Sequence, residues 1–130
     1  MTLFAEPDGK TTSRRVWLDA KNMAAALVHI CERVSPSLCR EAQVRPERFH
    51  IIGEKELSVQ ELAQLVADKL GRPLLKQLVQ GQQVRPGYDR RYALVDTRLK
   101  ATGFVPPFAF DATLARILDW ARVTQHWIYE

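Results

Sequence analysis

The sequence predicts a small α/β chain of α+β character, built as one domain over residues 1–130. Three observations carry this. At 130 residues the chain matches the ~100–150 residues typical of one domain. Short apolar runs of strand character alternate with stretches whose apolar residues recur at helical spacing. Its composition, 46% hydrophobic and 26% charged, suits a packed core under a polar surface.

Residues 1–14 are polar, turn at Pro7-Asp8-Gly9, and are expected to be flexible. Arg15-Val16-Trp17-Leu18 reads as a short strand. Asp19 then offers an N-cap to a helix over 20–34, where Met23, Leu27, Ile30, Cys31 and Val34 form the apolar stripe. A loop from Pro36 to Arg48 ends it, and Phe49 to Ile52 reads as a second strand closed by Gly53. Ser58-Val59-Gln60-Glu61 has the form of a capping box. The helix it opens keeps Leu62, Leu65, Val66 and Leu70 on one face and stops at Gly71-Arg72-Pro73. Leu74 to Val79 reads as extended, and residues 80–91 as an Arg-rich loop. Asp96 and Asp111 are expected to cap two further helices, the first ended by a left-handed Gly103. The second turns Leu114, Ile117, Leu118 and Ala121 inward, behind the rigid connector Phe104-Val105-Pro106-Pro107-Phe108.

Composition narrows the function classes. No apolar run approaches the ~18–20 residues of a membrane span, and the first residues carry no secretory h-region. Cys31 and Cys39 suit a reducing compartment and cannot by themselves complete a four-ligand zinc site. A cytoplasmic protein is expected. The net charge is only +4, from 19 basic and 15 acidic residues, which permits nucleic acid as a partner without demanding it. Most basic residues are Arg, the side chain suited to forked recognition of phosphate or carboxylate.

Dinucleotide, P-loop and nucleophile-elbow motifs are all missing. His29, His50 and His126 are scattered; His29 reads as a surface or satisfied side chain, and Cys31 as core packing. The informative stretch is Arg85-Pro86-Gly87-Tyr88-Asp89-Arg90-Arg91-Tyr92, where Pro-Gly sets a turn amid three arginines and two tyrosines. Guanidinium forks pair with phosphate oxygens, and Tyr offers a flat face and a hydroxyl, so a nucleotide diphosphate is a ligand such a loop can clamp. A solvated basic loop with Asp89 paired to an arginine fits the same residues.

The stretch RPGYDRRYALVDTRLKATGF resembles the C-terminal region of NAD-dependent dTDP-glucose 4,6-dehydratases. These are extended short-chain dehydrogenase/reductases. The resemblance is collinear from about residue 9 to 128: Ser13 to Leu18 is similar to the family's R-x-W-L strand, Phe49 to Gly53 to its Y-N-I-G-G strand end, and Asp119-Trp120 and Gln125-His126-Trp127 to its terminal helix.

The resemblance implies roles position by position. Arg15 matches the arginine that binds the nucleotide diphosphate, and Arg85 another arginine at the nucleotide end. Tyr88 stands where the family has a substrate-contacting His; Tyr92 packs beside the site. Lys55 stands where the family has a diphosphate-binding Asn, so it would offer a point charge in place of a directed hydrogen bond. Arg90 and Arg91 either face the ligand or tie the loop to its scaffold. The resemblance also implies NAD in the whole enzyme, bound by a Rossmann half with a Tyr-x-x-x-Lys pair. No such pair occurs in these residues, so none of the cofactor is expected to be bound by this chain.

The expected function is therefore the nucleotide-sugar-binding, dTDP-glucose-like portion of a sugar-nucleotide 4,6-dehydratase, substrate domain without Rossmann half, not catalytic alone. An interaction or dimerisation module derived from that fold is the alternative. A basic nucleic-acid-binding domain is remote, lacking any recognition-helix or RNP pattern. The expected partners are a nucleotide-diphosphate sugar and the missing Rossmann half or a partner chain. The strand at Phe49–Ile52 and the helix after Asp19 would otherwise lie uncovered, which predicts a homodimer.

Overall fold

The computed structural model describes residues 1–34, 47–84 and 86–124, without the side chain of Gln82. β1, Thr2–Ala5, lies in the segment predicted as polar and flexible; alternation turns Leu3 and Ala5 into the core at 3% and 1% exposure. β2, Arg14–Trp17, leads through Leu18 to α1, Ala20–Arg33. Asp19 caps α1 as predicted: its Oδ1 accepts from the Lys21 amide at 2.8 Å, and its Oδ2 takes Arg116 Nη2 at 2.8 Å.

β3, Lys55–Ser58, runs directly into α2, Val59–Leu70. The capping box is formed in both directions, Glu61 N to Ser58 Oγ at 3.0 Å and Ser58 N to Glu61 Oε2 at 2.6 Å. α2 ends on Gly71 at φ 63°, and the Gly71 and Arg72 amides bond back to the last turn. β4, Gln77–Gln80, is followed by the single turn α3, Gly81–Val84, and by β5, Arg91–Tyr92. α4, Thr97–Ala101, and α5, Phe110–Val123, complete the described elements.

The strands make two small sheets. β1 pairs with β4 in parallel, Thr2 opposite Gln77 through Ala5 opposite Gln80. In the other, of order β3-β2-β5, β2 lies antiparallel to β3 and parallel to β5. α2 packs on β3 and α5. Among the described residues the buried apolar side chains are Leu3, Ala5, Ala26, Ala67, Leu99, Phe110 and Leu114.

Several sequence expectations are corrected. Phe49–Ile52 forms no strand: a strand needs a hydrogen-bonded neighbour, and among the described residues neither sheet includes this segment. Cys31 is exposed, not core. What packs on α1 is the connector, along the line Asn22, Ala26, His29. The Asn22 amide clasps Phe108 with Nδ2 to its carbonyl at 2.8 Å and Oδ1 from its N–H at 3.1 Å. His29 Nε2 meets Thr102 Oγ1 at 2.8 Å, the satisfied histidine expected. The neighbouring stripe is therefore turned outward, with Met23 40% and Leu27 49% exposed. Asp111 does not cap α5; Ala109 holds that position, and Glu54 Oε2 accepts the Phe110 amide at 2.7 Å. Asp96 stands at the N-cap of α4 without a capping bond, its carboxylate turned to Lys100 at 2.9 Å. Of the inward face predicted for α5, Leu114 is buried and Ile117 exposed. Cys39, most of the loop after Pro36, and Gln125-His126-Trp127 lie outside the described residues.

Candidate functional site

Strand alternation sorts the side chains of the β3-β2-β5 sheet onto two faces. Arg15 pairs with Leu57 and Tyr92, and Trp17 with Lys55, so these five share one face. Arg15 and Lys55 are diagonal neighbours on it, a spacing of roughly 7–8 Å. Arg15 stacks on Tyr92, its guanidinium carbon 4.1 Å from the ring centroid. Its Nη1 donates to the Arg14 carbonyl at 3.1 Å. The Tyr92 hydroxyl donates to Asp89. Trp17 Nε1 donates to the Leu57 carbonyl at 3.1 Å, which fixes the indole beside Arg15. At the far end Lys55 Nζ reaches Asp111 Oδ2 at 2.7 Å.

The opposite face carries a charge lattice. Arg91 forks onto Glu56 at 2.6 and 2.8 Å, and Arg14 lies 3.7 Å from the same carboxylate. Arg14 Nη1 also donates to Glu61 at 3.1 Å. The Arg91 hydrogen bond, aided by the charges of Arg91 and Arg14, holds the Glu56 carboxyl below its usual range. The Ser58 amide does the same for Glu61. Arg90 Nε sits 2.6 Å from Glu6 Oε2. That contact is an ion pair without hydrogen-bond alignment, since neither buried Glu6 oxygen accepts a hydrogen bond. An open cleft of about 440 Å³ lies here, between the Glu6–Thr12 turn and Arg14, Arg90 and Arg91.

The five candidate residues thus separate. Arg15 and Lys55 come together on one face. Arg90 lines the cleft on the Arg14 side. Tyr88 stands at the junction of the two sheets: its hydroxyl meets Ser13 Oγ at 2.6 Å, and its ring meets Phe4 edge-on at 5.6 Å. Gly81 makes room for that ring, since a Cβ there would stand 3.0 Å from Tyr88 Cδ1. Arg85 lies outside the described residues. Sequence reasoning missed Glu56 and Asp111 as members of the two clusters and Ser13 as the partner of Tyr88. For Glu56 the signal was available in strand parity, once β3 was placed at Lys55–Ser58.

Among the described residues no cluster of His, Cys, Asp and Glu is arranged for a metal ion. A nicotinamide dinucleotide needs a Gly-rich strand–helix turn whose amides receive the pyrophosphate. At both junctions formed by β2–α1 and β3–α2, the first-turn amides are already taken by Asp19 and Ser58. These junctions do not fit it.

No protein-family model matches the chain. Curated proteins do. A dTDP-glucose 4,6-dehydratase of Streptomyces niveus is 34% identical over 82 residues, covering 62% of this chain and 24% of its own. One from Escherichia coli is 29% identical over 115 residues, covering 87% of this chain and 32% of its own. Among solved structures, a dTDP-glucose 4,6-dehydratase of Streptomyces venezuelae with NAD and TYD bound superposes with TM-score 0.72 at 24% identity. It covers 98% of this chain and 35% of that one. The enzyme of Bacillus anthracis, in complex with NAD, gives TM-score 0.72 at 20% identity. The chain is a homologue of the C-terminal part of dTDP-glucose 4,6-dehydratases. It spans about a quarter to a third of their length. The dehydratase relationship accounts for the mixed α/β fold, which the superpositions cover almost end to end.

Proposed function

We propose that the chain is the nucleotide-sugar-binding part of a sugar-nucleotide 4,6-dehydratase, and that it eliminates no water by itself. The observation that carries this is the sheet face on which strand pairing sets Arg15 and Lys55 side by side, with Tyr92 under Arg15. Two cations beside an aromatic surface suit a diphosphate flanked by a base and a sugar. In this reading Arg15 and Lys55 take the diphosphate and Arg85 the nucleotide end. Tyr88 contacts the sugar-nucleotide from the sheet junction. Arg90, paired with Glu6, holds the loop in place.

NAD, held by a Rossmann half in the enzymes this chain resembles, would supply the hydride acceptor for oxidising the sugar. The residues of this chain bind and orient the diphosphate so that the sugar projects toward that half. Their contribution is positional, and it is needed before any bond changes. The cytoplasm, where nucleotide sugars are made, is the compartment consistent with this role.

A second reading is favoured by one observation. Met23 and Leu27 on α1, and Ile117 and Trp120 on α5, are each at least 40% exposed. Large exposed apolar side chains in rows mark surfaces that bind protein. The Rossmann half, a partner chain or a second copy covers them; alone, the chain forms a homodimer.

Calorimetric titration of dTDP-glucose, UDP-glucose and GDP-mannose tests the main reading. Binding of dTDP-glucose ahead of the other two is expected, with no product lighter by one water when NAD is added. Binding of none of them, or tighter and steeply salt-dependent binding of oligonucleotides, would contradict it.

A further inference from the structure

Lys55 and Arg15 share a face but are held differently. Arg15 rests on a carbonyl and an aromatic ring, neither of which neutralises a cation. Lys55 is met by a carboxylate, Asp111 Oδ2, at 2.7 Å. Both partners reach solvent, with 38% of the Lys55 and 63% of the Asp111 side chain exposed, so the pair can exchange partners. Its loss need not unseat α5. Glu54 caps the Phe110 amide at 2.7 Å, and the Asn22 clasp holds Phe108. Asp111 is thus dispensable for anchoring the helix and well placed to act on Lys55.

We infer that Asp111 is an internal competitor of the ligand. Its carboxylate takes the place on Lys55 that a phosphate oxygen takes when a diphosphate binds. This rests on the diphosphate reading of the Arg15–Lys55 face. An ammonium has three N–H donors, so sharing is sterically open, but a diphosphate brought to Lys55 meets the negative charge of Asp111 at close range. Ligands with concentrated negative charge displace it; weakly charged ones do not. Asp111 therefore sets a threshold of ligand charge, and acts as a specificity-determining residue without being a binding one.

The test is a thermodynamic cycle on the chain with inorganic pyrophosphate as probe, measured by calorimetry in the unaltered protein, Asp111→Asn, Lys55→Met and the double variant. The expected result is about two- to fivefold tighter binding in Asp111→Asn, the scale of an exposed ion pair, and no such gain in the Lys55→Met background. Equal or weaker binding in Asp111→Asn, or a gain that survives loss of Lys55, overturns the inference. A merely structural role would shift the melting temperature without depending on Lys55. Carboxyl-carbon NMR of the unaltered chain gives a second readout: the Asp111 resonance should move on pyrophosphate addition, and a fixed resonance during binding also overturns it. Failure of pyrophosphate to bind every form would bring down the diphosphate reading itself, and the inference with it. Binding by Asp111→Asn alone would uphold both.

Discussion

Glu56 on β3 accepts two nitrogens of Arg91 on β5 while lying beside Arg14 on β2, so one carboxylate links all three strands on the face turned away from Arg15. Its carboxyl is held low by Arg91, that of Glu61 by the Ser58 amide, and that of Asp111 by Lys55. Asp8 is lowered to about 2 by the Thr11 hydroxyl and the Lys10 and Thr11 amides. Each group binds its proton more weakly folded than unfolded. The stability they lend is complete above the ordinary carboxylate range, near ~4, and drains as pH falls through the lowered values. Urea midpoints should hold level from neutral pH to ~5 and fall below ~4, less steeply in Glu56→Gln. An equal or steeper fall in that variant would contradict the assignment. Gly53 makes a separate residue-scale prediction. A Cβ there would lie 1.6 Å from the Trp17 carbonyl oxygen, so Gly53→Ala should destabilise by about 3 kcal/mol or more, since backbone must move; an unchanged urea midpoint would refute it. Such close approaches are invisible in sequence, where Gly53 reads only as a strand end.

Elements were legible where local chemistry alone decides them. The capping box at Ser58 and Glu61, Asp19 before α1, and the Gly71 stop each depend on residues within a few positions. Ser58→Ala should cost about 1 kcal/mol, read as a lower urea midpoint with the same slope; no change would mean that the cap is idle. Elements were misread where a distant partner decides them. Phe49–Ile52 has strand composition but pairs with no strand among the described residues, and the cap of α5 comes from Glu54, far along the chain. The face of α1 followed the same logic. Apolar spacing predicts Met23, Leu27 and Cys31 inward, whereas the connector selects the adjoining line through Asn22 and Ala26.

At the scale of the molecule, the chain spans about a quarter to a third of the dehydratases it matches. Its resemblance to the dehydratases was legible in the Arg85–Tyr92 stretch and its flanks, and homology to their C-terminal part bears it out. The arrangement of the candidate site was only half legible: motif matching picked out Arg15, Lys55, Tyr88 and Arg90, but strand parity alone shows that Arg15 and Lys55 share a face. The outward rows on α1 and α5 predict association. Light scattering should find a dimer, and replacing Met23 and Leu27 with Ser should reduce it; a monodisperse monomer would count against a self-covered face. The measurement that bears most directly on the whole account is calorimetric titration of dTDP-glucose into the unaltered chain and an Arg15→Ala, Arg85→Ala double variant. The account predicts saturable binding that the double variant abolishes. Binding of equal strength in both would contradict it.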